Sequence, residues 1–275
     1  MRRTCLVLGC MLASSPVWAG SIFLTGHDPD FHANLGGNSL GAQHIIQKAI
    51  AYVQDPGFNS FVASAPKFLF VESNIIPPPG NTQGKNGIVA SGYVEGTDFD
   101  QVNAAGLNAA LNLLGTGYSA IVVASDHGGI LTSAELDILN ARSADIISFL
   151  NNGGGLFAMA ESDAVGLITG STPFGYLPFI VSSSPLQQSE VGNSVTAFGA
   201  SLGLVDADVN GNFSHNVFTA TGGLSVVNIN SAGEALSVAT RSQITPGGTV
   251  PEPSTMGLFA AACGLLIWAR QRRAR

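Results

Sequence analysis

The chain has 275 residues, of which 45% are hydrophobic and 11% charged, with 34 glycines and a formal net charge of −7. That length supports a sizeable core, and the acidity excludes nucleic acid as a partner, because phosphate binding needs a basic surface. All three cysteines, Cys5, Cys10 and Cys263, lie near the termini, so the segment between them holds no disulfide, thiolate metal site or cysteine nucleophile.

At the start, Arg2 and Arg3 precede an apolar stretch over residues 5–12, followed by Val17-Trp18-Ala19. A basic end, an apolar core and a small-residue site make a secretory signal peptide cut after Ala19, which implicates the Sec export machinery. Residues 1–19 form the leader, 20–241 an α/β domain, 242–249 a linker and 250–275 a C-terminal tail. Six of the 11 basic residues are terminal. The five that remain, Lys48, Lys67, Lys85, Arg142 and Arg241, face 17 acidic residues, so residues 20–249 alone carry −12.

Within the domain, residues 21–25 (SIFLT) read as a buried strand ending in the polar loop GHDPDFHANLGGNS. Ile45, Ile46, Ala49, Ile50 and Val53 recur at helical spacing, with Asn38 or Ser39 as cap and Pro56-Gly57 beyond the end. Residues 67–72 (KFLFVE) form the second strand, and residues 73–97, rich in proline and glycine, a long loop. Asp98 and Gln101 at capping-box spacing open a predicted helix over residues 98–114. Residues 118–124 (YSAIVVA) are the third strand; Thr132 and Glu135 cap a helix running to Leu150, and residues 155–160 (GLFAMA) are the fourth strand. Strands alternating with helices predict a mostly parallel sheet with helices on both faces. Further on, residues 174–181 are expected as a strand, 194–204 as a helix, and 224–230 with 235–240 as a hairpin across Ser231-Ala232-Gly233.

In an open parallel sheet, ligands bind beyond the carboxyl ends of the strands. Here those ends carry His27, Asp28, Asp30 and His32 after strand one, Glu72 after strand two, Asp126 and His127 after strand three, and Glu161, Ser162 and Asp163 after strand four. Histidines among carboxylates are the groups that bind a ligand or divalent cation, or move protons; the same residues also cap helices and fill Asx turns. Ala160-Glu161-Ser162-Asp163-Ala164 has the small-x-Ser-x-small order of a nucleophile elbow, with His127 or His215 as the matching base. Asp206, Asp208 and Asn210, followed by Gly211, space oxygens like the first half of a calcium loop, but its twelfth position is Val217 instead of glutamate. No other cofactor is expected.

The strand-GHDPDFH order, Ser125-Asp126-His127-Gly128-Gly129 closing a strand and Asn152-Gly153-Gly154-Gly155-Leu156 opening one resemble the class I glutamine amidotransferase-like superfamily, in particular its ThuA-like branch. The resemblance spans residues 21–163 and implies a flavodoxin-like sheet. It also places Ala160-Glu161-Ser162 where amidotransferases carry their cysteine, so glutamine hydrolysis by that mechanism is excluded, and it aligns His215 with the family's late histidine. The tail joins Pro251-Glu252-Pro253-Ser254, an apolar run over residues 256–269 and four arginines. That order resembles the PEP-CTERM sorting signal, which implies a membrane stage through the apolar helix and removal by an exosortase-type membrane protease. The run is 14 residues long, short of the roughly 20 of a full span. The expectation is an exported cell-surface or matrix protein that binds a ligand, with extracellular polysaccharide as partner; the alternative is a hydrolase using His27, Asp126, His127, Glu161 and Ser162.

Overall fold

Four short strands buried at every residue carry the centre of the molecule: β1 (Ser21–Thr25), β2 (Phe68–Val71), β4 (Ala120–Val123) and β5 (Gly155–Ala158). Continuous apolar runs of this kind form strands covered on both faces. The computed structural model describes residues 20–163, 166–177, 180–189 and 191–244. Interleaved with these strands are α1 (Pro29–His32), α2 (Ser39–Val53), α3 (Lys85–Ala90), β3 (Phe99–Val102), α4 (Ala104–Leu111), α5 (Ser133–Ala141) and α6 (Ser143–Asn151). After β5 come β6 (Ser182–Ser189), β7 (Ser194–Val195), α7 (Ala197–Ser201), β8 (Phe213–Ala220), β9 (Ser225–Ile229) and β10 (Ala235–Thr240).

The sheet runs β3-β2-β4-β5-β1-β10-β8-β6, with β9 on β10 and β7 on β9. From β3 to β1 the neighbours are parallel; β10, β8 and β6 join antiparallel. The α/β expectation therefore holds, but the sheet is mixed rather than mostly parallel. A flavodoxin-like sheet is ordered 2-1-3-4-5; here β1 lies between β5 and β10, because β10 returns from the end of the domain to pair with it. The core packs α2 onto β1 and β5, with Phe23 edge-on to Phe157 at 5.7 Å.

Asn38 caps α2 by accepting from Gly41 N at 3.0 Å, and Thr132 with Glu135 forms the expected capping box of α5. The predicted β9–β10 hairpin is present. Five expectations are corrected. Residues 99–102 are a strand, not the first turn of a helix: Phe99 stacks on Phe68 at 5.3 Å, Gln101 bonds Glu72, and Asp98 accepts from Val94 N. The helix expected to reach Leu150 breaks at Arg142 into α5 and α6. The long loop contains α3, and the described part of residues 174–181 is turn, with the strand β6 beginning only at Ser182. Helix α7 is shorter than expected and follows the two-residue strand β7. Among the described residues no helix is long and apolar enough to cross a membrane; the leader with Ala19 and the tail with Pro251, Glu252 and Pro253 lie outside them.

Candidate functional site

Because β1, β5 and β4 pair parallel and in register, with Leu24 and Val123 both opposite Ala158, their carboxyl ends open at one level. The following loops bring Asp28, Asp126, His127 and Asp163 to one edge. Strand β8 closes that edge from the side: Ser214 bridges His27, and His215 N donates to Gly26 O at 2.7 Å. The approach requires glycine at position 26, where a Cβ would stand 1.9 Å from the Asn216 carbonyl oxygen. Gly128 is similarly constrained, since its Cβ would meet an Asp28 carboxylate oxygen at 2.1 Å.

At the centre is His215. Its Nε2 lies 3.2 Å from Asp28 Oδ2, and its Nδ1 pairs with Asp163 Oδ2. Burial alone would push the imidazole pKa down; Asp28 and Asp163 outweigh it and hold the value up at about 10. His215 is thus a fixed imidazolium at neutral pH, poor as a general base but well placed to orient two carboxylates. His32 Nε2 lies 3.4 Å from the other Asp28 oxygen, and the His127 ring centroid is 5.8 Å from that of His215. Asp28, His32, His127 and His215, with Phe31 and Phe213, line a cavity of about 130 Å³. His32 Nδ1 is buried without a hydrogen-bond partner among the described residues.

The remaining predicted residues have structural work. Asp30 accepts from Ser125 N at 2.9 Å and Ser125 Oγ at 2.7 Å; burial pushes its pKa up to about 6 against those bonds. Glu72 accepts from Gly84 N and Lys85 N, tying α3 to the end of β2, and burial raises it to about 8. Asp126 accepts from Asp163 N at 3.1 Å; burial first, then the Asp163 charge, raise it to about 7. Glu161 accepts from Phe174 N at 2.6 Å and from the Tyr176 hydroxyl, and burial pushes it up to about 8. It pins down the turn that contains Phe174, a non-glycine residue at φ 52°. His27 Nε2 faces the Asn228 amide at 3.0 Å, and Ser162 is buried and does not line the cavity. The edge therefore gathers Asp28, His32, His127 and His215, while His27, Asp30, Glu161 and Ser162 serve or lie behind it.

In the loop after α7, Asp206 Oδ1 accepts from Val195 N, Asp208 Oδ2 from Val205 N and pairs with His44, and Asn210 Oδ1 accepts from Asn193 N. The oxygens spaced like a calcium loop are thus turned to N–H groups. Among the described residues no three His, Cys, Asp or Glu side chains are set to hold a metal ion. Sequence reasoning missed Phe31, Phe213, Tyr176 and Asn228. Phe213 was within reach, as it adjoins the His215 segment; Tyr176 and Asn228 become relevant only through long-range packing.

The other end of the chain decides the address. Residues 249–273 match the PEP-CTERM protein-sorting motif. The PEP-CTERM match includes Pro251, Glu252 and Pro253 and marks the chain as an exported surface protein with exosortase as its processing partner. No curated protein matches the chain.

Proposed function

We propose that the α/β domain of this PEP-CTERM protein binds a small polar ligand at the carboxyl edge of its sheet, and that the ligand is a saccharide unit of the extracellular polysaccharide layer. The observation that carries the reading is the cavity of about 130 Å³ lined by Phe31, His32, His127 and Phe213, with the Asp28 carboxylate held by His215 at its edge. Aromatic rings with a few placed acceptors and donors suit a sugar face and its hydroxyls. An amidotransferase-like descent draws support only from the parallel half of the sheet and its polar loops. Sec-dependent export after cleavage at Ala19 belongs to the same reading. A divalent cation is retained only as a ligand to be screened.

The test is calorimetric titration of the processed domain with short oligosaccharides and with calcium or zinc. Binding that weakens at least fivefold in His127→Ala and Phe213→Ala, with unchanged melting temperature, supports the reading; no binding by the wild type to any of them overturns it. The hydrolase alternative would appear as product release by the wild type that His127→Ala abolishes. His127 is the candidate base of that alternative, since Asp28 and Asp163 raise the His215 pKa to about 10.

A further inference from the structure

The chain enters and leaves the described domain at one place. Gly20 abuts the Leu150 carbonyl so closely that a Cβ would come within 2.5 Å, and Ser21 N donates to Gly154 O at 3.2 Å. At the other end, β10 runs antiparallel to β1, so Thr240 lies opposite Ile22. Beyond it Arg241 is held by Asp55 Oδ2 at 2.8 Å, with its guanidinium 3.8 Å from the Phe58 ring centroid and 4.2 Å from that of Tyr52. Buried Ile244 then exchanges two hydrogen bonds with the Asn151 side chain, at 2.7 and 2.8 Å. Residues 150–154, the last residues of α6 and the turn into β5, thus hold both ends. This turn lies at the amino edge of the parallel strands, opposite the cavity.

Only residues 245–250 separate Ile244 from Pro251 of the sorting motif. Even fully extended, they span about 25 Å at roughly 3.5 Å per residue. A domain of this size is about 45 Å across, by the scaling of radius with length. A chain leaving one pole would need about 70 Å to pass around to the other. The tether is therefore too short to let the domain turn over while the motif sits at the bilayer surface.

We infer that, in the unprocessed protein, the amino edge of the sheet faces the membrane that carries the processing protease, and the histidine-lined cavity faces away from it. The orientation is set by the tether and needs no lipid affinity: Arg241, three residues before the exit in the chain, is already paired with Asp55. This inference rests on the sorting motif and the geometry of the chain ends, and is independent of what the cavity binds.

The experiment uses full-length protein in inner-membrane vesicles prepared without the processing protease, with Cys5, Cys10 and Cys263 each replaced by alanine. A fluorophore is attached at Ser60→Cys or, separately, Thr116→Cys on the amino edge, or at Ile76→Cys, 91% exposed on the loop after β2 at the opposite edge. Headgroup-nitroxide lipids should quench both amino-edge labels at least threefold more than the Ile76 label. A 30-residue glycine–serine insert between Ile244 and Pro251 should remove the difference. Equal quenching in the chain of natural length, or stronger quenching at position 76, overturns the inference; two amino-edge labels guard against one disturbing the fold.

Discussion

His215 shows how far residue-level physics reaches. Its proton is retained against burial by Asp28 and Asp163, so Asp28→Asn should lower its pKa from about 10 by roughly one to three pH units, read by NMR titration of the imidazole. A value that stays near 10 would mean Asp163 alone suffices. The same groups set the pH dependence of stability. His215, with a folded value of about 10, contributes stability that is complete below its ordinary 6.5 and lost as pH rises toward 10. Glu161 and Asp126, raised to about 8 and 7, act in the same direction: their protonated forms are favoured in the fold, and the stability this supplies fades as pH rises from about 4 through those values. The domain should therefore have its highest urea midpoint on the acid side of neutrality and weaken steadily toward pH 9. Glu161→Gln should flatten the slope between about pH 5 and 8, because the amide does not titrate, and lower the midpoint overall, because it keeps only one of the two acceptors used by Phe174 N and the Tyr176 hydroxyl. The polar strand ends were legible as a cluster because they follow apolar strands. Which members face a cavity was not, since Glu161 is claimed by Tyr176 and His27 by Asn228, partners that no local pattern indicates.

At the level of elements, local signals succeeded where they were backed by burial and failed where two readings shared them. Thr132 and Glu135 made the capping box their spacing promised. Asp98 and Gln101 carried the same spacing, but pairing with β2 and the Phe68–Phe99 stack override helical propensity there. Strand β8 went unrecognised because its polar Ser214, His215 and Asn216 are buried for the site rather than alternating with solvent-facing positions. Its docking onto Gly26 is the element-scale contact on which His215 depends. Gly26→Ala should destabilise the domain by about 1–3 kcal/mol, as overpacking against backbone does, and broaden or shift the His215 imidazole signals. An unchanged urea midpoint with unchanged signals would show that β8 is positioned by β10 and β6 alone.

For the whole molecule, the carboxyl-terminal motif told the route, and the strand order stayed hidden, because the β1–β10 pairing joins residues more than 200 apart and leaves no periodic trace. That pairing decides where the folded unit stops. The predicted boundary at residue 241 follows the end of β10, yet Ile244 is buried in the core and bonded to Asn151. A chain ending at Thr249, without the sorting motif, should therefore fold and stay soluble with the stability of the processed protein. A chain ending at Arg241 should lose about 2–5 kcal/mol, the range for removing a buried isoleucine and leaving a cavity, and Ile244→Ala in the longer chain should lose a similar amount. Urea unfolding of the three proteins checks this. Equal midpoints for the two truncations would place the last structural residue at Arg241 and lengthen the tether. The measurement therefore also fixes how closely the amino edge is drawn to the membrane before cleavage.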